Sequence, residues 1–499
     1  MSNHQCLESD PENSIRILVN DEYVAVSDAD ITMTLLSFLR IELQLIGTKE
    51  GCNEGDCGAC TVVIGELKGD ELELKTINAC IQLLPALDGK AVYTVEYLRK
   101  SCGGDLHAVQ RAMVDCHGSQ CGFCTPGFIM SLWSVYNDHI EAGSRPNDKT
   151  LRHSLTGNLC RCTGYKPILK AGHAMFDLPV NEFDRQALKE KLFKIKREQT
   201  FSYECNGAIF HAPLKTTELA QLRGELPDAT VLAGCTDIGL WVNKQFRDLG
   251  NIIYIGQVDE LKKVESTENS IHIGAGVTLT NAYEALTNWY PEIEEMHDRF
   301  ASKPIRNIGT LGGNIANGSP IGDSMPWLIA LGATVHLRDS QNERSMLLQD
   351  YYLDYMQTAL NKSELLVSIE VPAPVRGQLF RTYKLSKRFD SDISAVCAAF
   401  SIQLKDDEIS DAIVAFGGMA ATPKRAPACE NALIGNTWSE ATAEKGRAAL
   451  SLDYQPLSDM RASSDNRMLS AQNLLYRFFL DTNLNSTFNQ NELSVFSRT

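Results

Sequence analysis

Eight of the fifteen cysteines in this 499-residue chain fall into two groups with the spacing of metal ligands. The first group lies in and after the run G-C-N-E-G-D-C-G-A-C and consists of Cys52, Cys57, Cys60 and Cys80. Three cysteines spaced C-x4-C-x2-C, with a fourth farther along the chain, are typical of a plant-type [2Fe–2S] cluster. We therefore predict that these four thiolates hold one such cluster.

Three glycines of the same run favour a loop that wraps closely around a metal centre. Gly51, Gly55 and Gly58 permit positive φ angles and leave backbone N–H groups able to point at sulfur atoms. The alternative is a zinc site or a set of unrelated buried thiols. Zinc usually binds two C-x2-C pairs, and the spacing of this run differs from that pattern.

The second group comprises Cys121 and Cys124 in Q-C-G-F-C-T-P-G, and Cys160 and Cys162 in G-N-L-C-R-C-T-G-Y. A C-x-C pair cannot lie on one face of a regular helix, so we expect it in a turn at a helix end. By itself this group is compatible with zinc or with iron and sulfide. The neighbouring plant-type group favours a second [2Fe–2S] cluster.

The other seven cysteines have no ligand spacing and are predicted to be small, mostly buried side chains. They are Cys6, Cys102, Cys116, Cys205, Cys235, Cys397 and Cys429.

Two glycine-rich segments in the second half of the chain have the character of phosphate-binding loops. Residues 231–239 (V-L-A-G-C-T-D-I-G) predict a strand, a turn and a helix start, and Gly234 permits close approach of the backbone. Residues 307–323 contain T-L-G-G-N-I-A, whose glycines can direct several N–H groups at a pyrophosphate. Asp323 can accept hydrogen bonds from a ribose. The alternative for each segment is an ordinary glycine-rich turn.

A Rossmann nicotinamide domain is not expected. Gly274-Ala275-Gly276 follows a predicted strand, but Leu279 stands where the G-x-G-x-x-G fingerprint requires its third glycine. The sequence also lacks a Walker A motif.

Composition excludes several other classes of function. The net charge of −16 and the pI of about 5.2 argue against a nucleic-acid partner, which would require a basic face. No apolar run approaches the roughly 18 residues of a membrane span. Residues 1–13 are polar and acidic, unlike a signal peptide. We therefore expect a cytoplasmic protein, in which clustered cysteines bind metals rather than form disulfides.

The elements around the cysteines predict two small domains. Apolar and polar residues alternate over residues 14–26, which predicts a β-hairpin with its turn at Asn20-Asp21. Apolar residues recur with helical spacing over residues 34–43. Strands at 61–64 and 72–77 complete a ferredoxin-like sheet. Helices are then predicted at 108–114, 127–137 and 150–155, so the second cysteine group belongs to an all-helical domain.

The rest of the chain predicts a linker followed by mixed α and β structure. The charged residues 181–200 are the expected linker, with at most a short helix. Further strands are predicted at 230–233, 252–255, 270–273, 365–371 and 411–416, and a late helix at 471–481.

Together these motifs resemble the small, iron–sulfur and flavin subunits of bacterial xanthine dehydrogenases, in the molybdenum hydroxylase family. The resemblance extends from about residue 14 to about residue 480, and its most specific parts are the two cysteine groups and T-L-G-G-N-I-A. It implies an α+β multidomain fold. The expected domains are a plant-type ferredoxin-like β-grasp domain (14–98), a helical [2Fe–2S] domain (99–180), the linker (181–200), a vanillyl-alcohol-oxidase-type FAD-binding domain (201–378) and a C-terminal flavoprotein domain (379–490).

The resemblance also implies that the eight cysteines bind two [2Fe–2S] clusters and that a further set of residues binds FAD. This set is Val231, Leu232, Ala233, Gly234, Cys235, Thr236, Asp237, Ile238, Phe300, Thr310, Leu311, Gly312, Gly313, Asn314, Asp323, Leu366 and Lys384. At position 235 a polar or small residue is expected, so we do not expect the Cys235 side chain to contact the flavin. No residue of this chain is predicted to be catalytic in substrate hydroxylation.

The function that the resemblance implies is electron transfer. Electrons from hypoxanthine or xanthine oxidation would come from a molybdopterin-binding large subunit, pass through both clusters to FAD and reduce NAD⁺. The expected assembly is a hetero-oligomer of the α2β2 type. The alternatives are a subunit serving an aldehyde or N-heterocycle hydroxylase, and a zinc-binding assembly module.

The cysteine assignment predicts about four iron atoms per chain, two for each [2Fe–2S] cluster. Cys57→Ser should remove one cluster signal from the EPR spectrum of the reduced protein, and Cys124→Ser should remove the other, because each substitution deletes one thiolate ligand. Each variant serves as the control for the other. A variant that kept both signals unaltered would contradict the ligand assignment.

Overall fold

The computed structural model of the chain describes residues 13–483, which divide into two compact units. The first unit contains the chain up to Asp259 together with Ala301–Gly309. The second contains Glu260–Phe300 and the chain from Thr310 onward. Cys6 and the end of the predicted last domain, residues 484–490, lie outside the described residues. Within residues 13–483, no helix combines the length and apolar character needed to cross a bilayer.

The first unit contains two sheets and a set of helices. Its strands are β1 Ile15–Val19, β2 Glu22–Val26, β3 Thr61–Lys68, β4 Glu71–Asn78, β5 Lys90–Tyr93, β6 Phe201–Cys205, β7 Ala208–Ala212, β8 Thr230–Leu232 and β9 Ile252–Tyr254. Its α-helices are α1 Leu35–Ser37, α2 Val95–Ser101, α3 Ala108–Asp115, α4 Thr125–Glu141, α5 Asp148–Ser154, α6 Lys166–Ala174, α7 Arg185–Ile195, α8 Thr216–Glu225, α9 Ile238–Asn243 and α12 Lys303–Arg306.

The N-terminal sheet confirms the predicted hairpin and strands. Its strand order is β2-β1-β5-β3-β4. Asn20 and Asp21 have φ angles of 53° and 70°, as a two-residue hairpin turn between twisted strands requires. The predicted helix at 34–43 is present only as the short α1 followed by a π-helical turn, Phe38–Glu42. Its buried Leu35, Leu36 and Leu39 pack into the core beneath the sheet, so packing fixes the segment although it is not a regular helix.

The three predicted helices of the second cysteine region are confirmed as α3, α4 and α5. The longest, α4, buries Phe128, Leu132 and Trp133 in the core that these helices share with one face of the N-terminal sheet. The segment expected as a linker, residues 181–200, contains the eleven-residue α7. Its Leu188 and Leu192 are buried in the same core, so this segment is packed rather than loose.

The loops that carry the two cysteine groups meet at three glycines and one asparagine. A Cβ on Gly127, at the start of α4, would lie 2.1 Å from the carbonyl oxygen of Gly58. A Cβ on Gly58 would lie 2.1 Å from the carbonyl oxygen of Gly157. Asn158 is buried and donates from Nδ2 to the Gly58 carbonyl oxygen at 3.2 Å. The two loops therefore touch backbone to backbone, at a distance that side chains would prevent.

The remaining sheet of the first unit has the order β6-β7-β9-β8. The predicted strands at 230–233 and 252–255 are confirmed as β8 and β9, which pair in parallel. Residues 301–309 also belong to this unit, because Asn307 Nδ2 donates to the Thr76 carbonyl oxygen at 3.0 Å and Lys303 N–H donates to Thr156 Oγ1 at 3.1 Å.

The second unit contains a five-stranded and a four-stranded sheet with helices. Its strands are β10 Val264–Ser266, β11 Ser270–Gly274, β12 Thr334–Arg338, β13 Glu343–Leu347, β14 Tyr352–Asp354, β15 Gln357–Thr358, β16 Leu365–Pro372, β17 Gln378–Leu385, β18 Val396–Lys405, β19 Glu408–Gly417 and β20 Lys424–Arg425. Its α-helices are α10 Leu279–Thr287, α11 Glu294–Arg299, α13 Leu311–Asn317, α14 Ser324–Ala330, α15 Leu348–Tyr351, α16 Pro427–Leu433, α17 Glu440–Asp453 and α18 Ser464–Thr482.

The five-stranded and four-stranded sheets of the second unit contribute to one core, and the four-stranded sheet covers a second core with helices. The five-stranded sheet has the order β10-β11-β16-β12-β13 and buries Ile273, Val335 and Ile369 on one face. The four-stranded sheet, β17-β18-β19-β20, packs with α16, α17 and α18. The predicted strands at 270–273, 365–371 and 411–416, and the late helix at 471–481, are confirmed as β11, β16, β19 and α18.

The glycine contacts predict that Gly127→Ala will destabilise the first unit. The new methyl group would overlap the Gly58 carbonyl oxygen, and overpacking of this kind typically costs about 1–3 kcal/mol of unfolding free energy. Thermal unfolding followed by circular dichroism should give a lower midpoint than the parent protein. Ser134→Ala, at a half-buried site on the same helix, is the matched control. Equal midpoints for the parent and Gly127→Ala would contradict the close packing.

Candidate iron–sulfur and flavin sites

The structure brings the four cysteines of the first group together. Cys52 N–H donates to Cys57 Sγ at 3.3 Å, and Cys57 N–H donates to Cys52 Sγ at the same distance. The Cys80 thiol contacts both the Cys52 and the Cys60 thiols. None of these cysteines forms a disulfide. A Cβ on Gly51 would lie 2.7 Å from Cys57 Sγ, so a glycine is required where the loop curls over its own ligand.

The electrostatics of the first group fit a bound cationic centre. The hydrogen bond to Cys52, followed by burial, raises the pKa of Cys57 far above that of a free thiol. Contacts with Cys52 and Cys60, together with burial, do the same to the pKa of Cys80. Four thiolates cannot coexist here without positive charge between them, and two iron ions supply that charge. The residues present therefore fit a [2Fe–2S] cluster.

The second group is also assembled as predicted. Burial and a contact with Cys160 raise the pKa of Cys124 to about 12, and Cys121 contacts Cys162. Cys124 immediately precedes α4, and Cys160 and Cys162 lie in the turn between α5 and α6, as the C-x-C spacing requires. The Thr163 N–H donates to Cys160 Sγ at 3.3 Å, the type of backbone contact that supports a thiolate.

A backbone hydrogen bond connects the two ligand loops, in addition to the Asn158 side-chain bond to Gly58. The Leu159 N–H, next to the ligand Cys160, donates to the carbonyl oxygen of the ligand Cys57 at 3.0 Å. The acceptor of this bond, Cys57, directly precedes Gly58, whose backbone contacts Gly127. The two cluster sites therefore have ligand residues that are linked through one peptide hydrogen bond.

Residues 231–238 form the predicted strand, turn and helix start in the first unit. Gly234 allows the turn to approach residues 308–309, because a Cβ there would lie 1.9 Å from the Ile308 carbonyl oxygen. Cys235 has a φ angle of 63° and is buried. Its Sγ accepts a hydrogen bond from Gln82 Nε2 at 3.4 Å, so the thiol is engaged with the residues that follow Cys80.

Residues 310–314 form the tight start of α13 in the second unit. Thr310 caps the helix, with its Oγ1 accepting from the Gly313 N–H at 2.9 Å. Gly312 allows close contact with Ala275, whose carbonyl oxygen would lie 2.6 Å from a Cβ at this position. Asn314 Oδ1 is buried and has no hydrogen-bond partner among residues 13–483. This acceptor fits a hydrogen-bond donor on a bound cofactor, because orphaned buried polar atoms are otherwise rare.

Asp323 and Lys384 form a buried ion pair in the second unit. The Lys384 ammonium donates to Asp323 Oδ2, and the Ser394 hydroxyl donates to Asp323 Oδ1 at 2.6 Å. Each carboxylate oxygen thus accepts one hydrogen bond from a protein group. The role of Asp323 and Lys384 in binding FAD stays a prediction.

The two remaining predicted FAD contacts lie in different surroundings of the second unit. Phe300 stacks on Tyr283 with ring centroids 5.5 Å apart. Leu366 is buried on β16 and belongs to the core. Both stay predictions as cofactor contacts.

Arg299 holds the segment that follows Lys384, a role that no sequence motif indicated. Its guanidinium donates to the carbonyl oxygens of Lys384 at 2.9 Å and Phe389 at 3.2 Å, and to Ser386 Oγ at 3.2 Å. The Arg299 side chain is only 6% exposed. In the sequence, Arg299 could have been noticed because it directly precedes Phe300, which is predicted to contact the cofactor.

Comparison with known proteins places these sites in a family. Four family models match the chain, and they account for each of the predicted cofactor-binding regions. They are a 2Fe-2S iron–sulfur cluster binding domain (17–84), a [2Fe-2S] binding domain (94–173), an FAD binding domain in molybdopterin dehydrogenase (201–374) and a CO dehydrogenase flavoprotein C-terminal domain (381–482). The zinc alternative is not supported, because both cysteine groups fall within the [2Fe-2S] models.

Curated relatives agree with the family models. A xanthine dehydrogenase of Emericella nidulans is 30% identical over 94% of this chain and 39% of its own length. The chain carries the iron–sulfur and flavin domains of the molybdenum hydroxylase family. A xanthine dehydrogenase of Drosophila pseudoobscura pseudoobscura is 32% identical over 83% of this chain and 35% of its own length. The chain therefore spans less than two fifths of the length of these two relatives.

Solved structures of molybdenum hydroxylases share the fold of part of the chain. A carbon monoxide dehydrogenase of Hydrogenophaga pseudoflava has 26% identity and a TM-score of 0.51, over 54% of this chain and 94% of that chain. Quinoline 2-oxidoreductase of Pseudomonas putida 86 has 25% identity and a TM-score of 0.50, over 56% and 97%. The α+β multidomain fold, the two [2Fe–2S] domains and the FAD-binding domain are confirmed.

Two residues that sequence reasoning missed support the first cluster loop. Asn243, at the end of α9, donates from Nδ2 to the Cys80 carbonyl oxygen at 2.6 Å. Lys244 Nζ donates to the Cys52 carbonyl oxygen at 2.6 Å. A Cβ on Gly239 of the same helix would lie 2.4 Å from the Ile81 carbonyl oxygen. Because α9 directly follows residues 231–237, the predicted flavin segment is fixed against two cluster ligands.

Lys244 is predicted to raise the midpoint potential of the first cluster. Reduction adds negative charge to the cluster, and a nearby cation stabilises that charge. Lys244→Met should therefore shift the midpoint to more negative values in a potentiometric titration followed by EPR. The shift should shrink at high salt, because the Lys244 side chain is 42% exposed. Lys68→Met, at the exposed end of β3, is the control, and equal shifts in both variants would contradict this role.

Proposed function

We propose that the chain is the electron-transfer subunit of a xanthine dehydrogenase. In this proposal electrons released by oxidation of hypoxanthine or xanthine on a molybdopterin-binding partner subunit pass through two [2Fe–2S] clusters to FAD and then to NAD⁺. The names of the relatives, and the combination of both iron–sulfur domains with the flavin domains in one chain, support this assignment.

The observation that carries the proposal is the support of the first cluster loop by α9. Asn243 and Lys244 bind the carbonyl oxygens of Cys80 and Cys52, and α9 is continuous with the segment proposed to bind FAD. Such contacts keep the distance between an electron donor and an acceptor short and constant. Bound flavin supplies the change from single electrons to a hydride, which lets iron–sulfur clusters reduce NAD⁺.

The order of transfer follows from which loops touch. The second cluster loop contacts the first through Leu159 and Cys57, and the first contacts the flavin segment through α9. The first cluster therefore lies between the second cluster and FAD in the proposed sequence. Electrons from the partner subunit would enter at the second cluster, whose ligands Cys121 and Cys162 are exposed.

The remaining parts of the proposal concern the assembly and its setting. The molybdopterin-binding large subunit would join this chain in a cytoplasmic hetero-oligomer of the α2β2 type, acting in purine catabolism. A second candidate, an aldehyde or N-heterocycle hydroxylase, is favoured by the structural likeness to quinoline 2-oxidoreductase.

The test separates electron transfer from substrate oxidation. The purified chain, loaded with iron–sulfur and FAD, should reduce an artificial dye with NADH and should not oxidise hypoxanthine or xanthine. Adding the molybdopterin subunit should restore purine oxidation with NAD⁺ as acceptor. Cys57→Ser is the matched variant, because it should abolish purine-to-NAD⁺ transfer in the complex while NADH still reduces the flavin. Activity of the complex with an aldehyde or N-heterocycle but not with purines would favour the second candidate.

Purine oxidation by the chain without a molybdopterin subunit would overturn the proposed division of labour. Failure of NADH to reduce the flavin in the loaded chain would overturn NAD⁺ as the acceptor.

A further inference from the structure

Two histidines and a glutamate meet on the outer face of the five-stranded sheet in the second unit. His272 lies on β11, Glu370 on the central strand β16 and His336 on β12. His272 is directly opposite Glu370, while His336 is opposite Ser368, two residues before Glu370. Because side chains alternate along a strand, all three project away from the core that Ile273, Val335 and Ile369 form on the other face.

The ligand atoms of these side chains converge on one point. His336 Nε2 lies 3.2 Å from Glu370 Oε2, and His272 Nε2 lies 3.6 Å from Glu370 Oε1. Nitrogen atoms of the two histidines and a carboxylate oxygen of Glu370 all lie within 4.8 Å of one another. In a tetrahedral zinc site with bonds of about 2.0–2.1 Å, neighbouring ligand atoms are about 3.3 Å apart. Each histidine-to-carboxylate distance is close to that value, although the two histidines face different oxygens of Glu370.

The charge and exposure of the group suit a cation. Burial raises the pKa of Glu370, but a hydrogen bond with Ser270 and the nearby His272 and His336 outweigh it, so the pKa lies below its ordinary value. The carboxylate is therefore ionised at neutral pH. The three side chains are each about one-third exposed, at 36% for His272, 33% for Glu370 and 32% for His336, so an ion can reach them from solvent.

The surroundings of the group favour a fixed geometry. Ser270 is buried, and its hydroxyl lies 3.2 Å from His272 Nε2, a contact that a bound ion would replace at this nitrogen. Glu265 on the edge strand β10 is directly opposite His272 and adds a second carboxylate beside the group. All of these residues belong to paired strands, and sites on strands hold their ligands more firmly than sites on loops.

We propose that His272, His336 and Glu370 form a binding site for a divalent transition-metal ion, and that this ion is zinc. Two imidazoles and one carboxylate are a ligand set that zinc accepts, and they leave a fourth position open to solvent. The ion would connect three neighbouring strands of the sheet. This site shares no residue with either cysteine group or with the set proposed to bind FAD.

The experiment is isothermal titration of zinc chloride into the chain with both clusters and FAD loaded. The parent protein should bind one zinc ion at this site. His272→Ala, His336→Ala and Glu370→Gln should each weaken that binding by about tenfold or more, since even partners outside the metal's own ligand set change affinity by about 10–100-fold. His211→Ala is the matched control, because His211 is a half-buried strand histidine that contacts Ser202 and belongs to no such group.

A second measurement keeps the result interpretable if a variant folds poorly. X-ray absorption at the zinc edge of the parent protein should show nitrogen and oxygen ligands, with the iron content unchanged. Sulfur ligands would mean that zinc had displaced iron at a cysteine group, and this would overturn the proposal. Absence of zinc binding in the parent, or equal affinity in the parent and in His272→Ala with His336→Ala, would overturn it as well. These outcomes are independent of NADH oxidation and so do not depend on the proposed function.

Discussion

The first unit depends on direct backbone contact between its two cluster loops. Gly58, Gly127 and Gly157 lack the Cβ atoms that would keep the loops apart, and Asn158 occupies the contact with a buried hydrogen bond. Burial of backbone polar groups is tolerated only where each finds a partner, and here the partners come from the opposite loop. One peptide hydrogen bond, from Leu159 to Cys57, is the outcome of this packing. The positions of both sets of thiols follow from it.

In the second unit the corresponding constraint is electrostatic. A buried ion pair loses much of its solvation, and it persists only where further hydrogen bonds compensate. For Asp323 and Lys384 the compensation comes from Ser394, and from Arg299, which donates to the Lys384 carbonyl oxygen. The strand end at Lys384 and the helix start at Ser324 are therefore fixed relative to each other. Removal of either charge would leave the other buried and unpaired.

The sequence predicted the cofactor-binding motifs of this chain better than it predicted the residues that hold those motifs in place. Cysteine spacing predicted two groups of four thiols, and the structure brings cysteines of each group into contact, because a cluster fixes ligand number and forces those ligands into short loops. The alternation of apolar and polar residues predicted most strands, and the helical spacing of apolar residues predicted most helices. The π-helical turn at Phe38–Glu42 departed from the predicted helix because packing prevailed over local preference. Residues such as Asn243 and Lys244 could not be predicted, since they act on backbone atoms far along the chain and leave no pattern. The group of His272, His336 and Glu370 escaped notice for the same reason, because only strand pairing brings these residues together.

The support of Cys52 and Cys80 by α9 has a consequence for biosynthesis. The ribosome makes both ligands more than 160 residues before it makes Asn243 and Lys244. A nascent chain that has just released its ferredoxin-like sheet thus carries a ligand loop whose carbonyl oxygens are still bound by water. The loop becomes rigid only after α9 has emerged and docked. The loop therefore has fewer contacts, and is more open to incoming metal, before α9 has docked than afterwards.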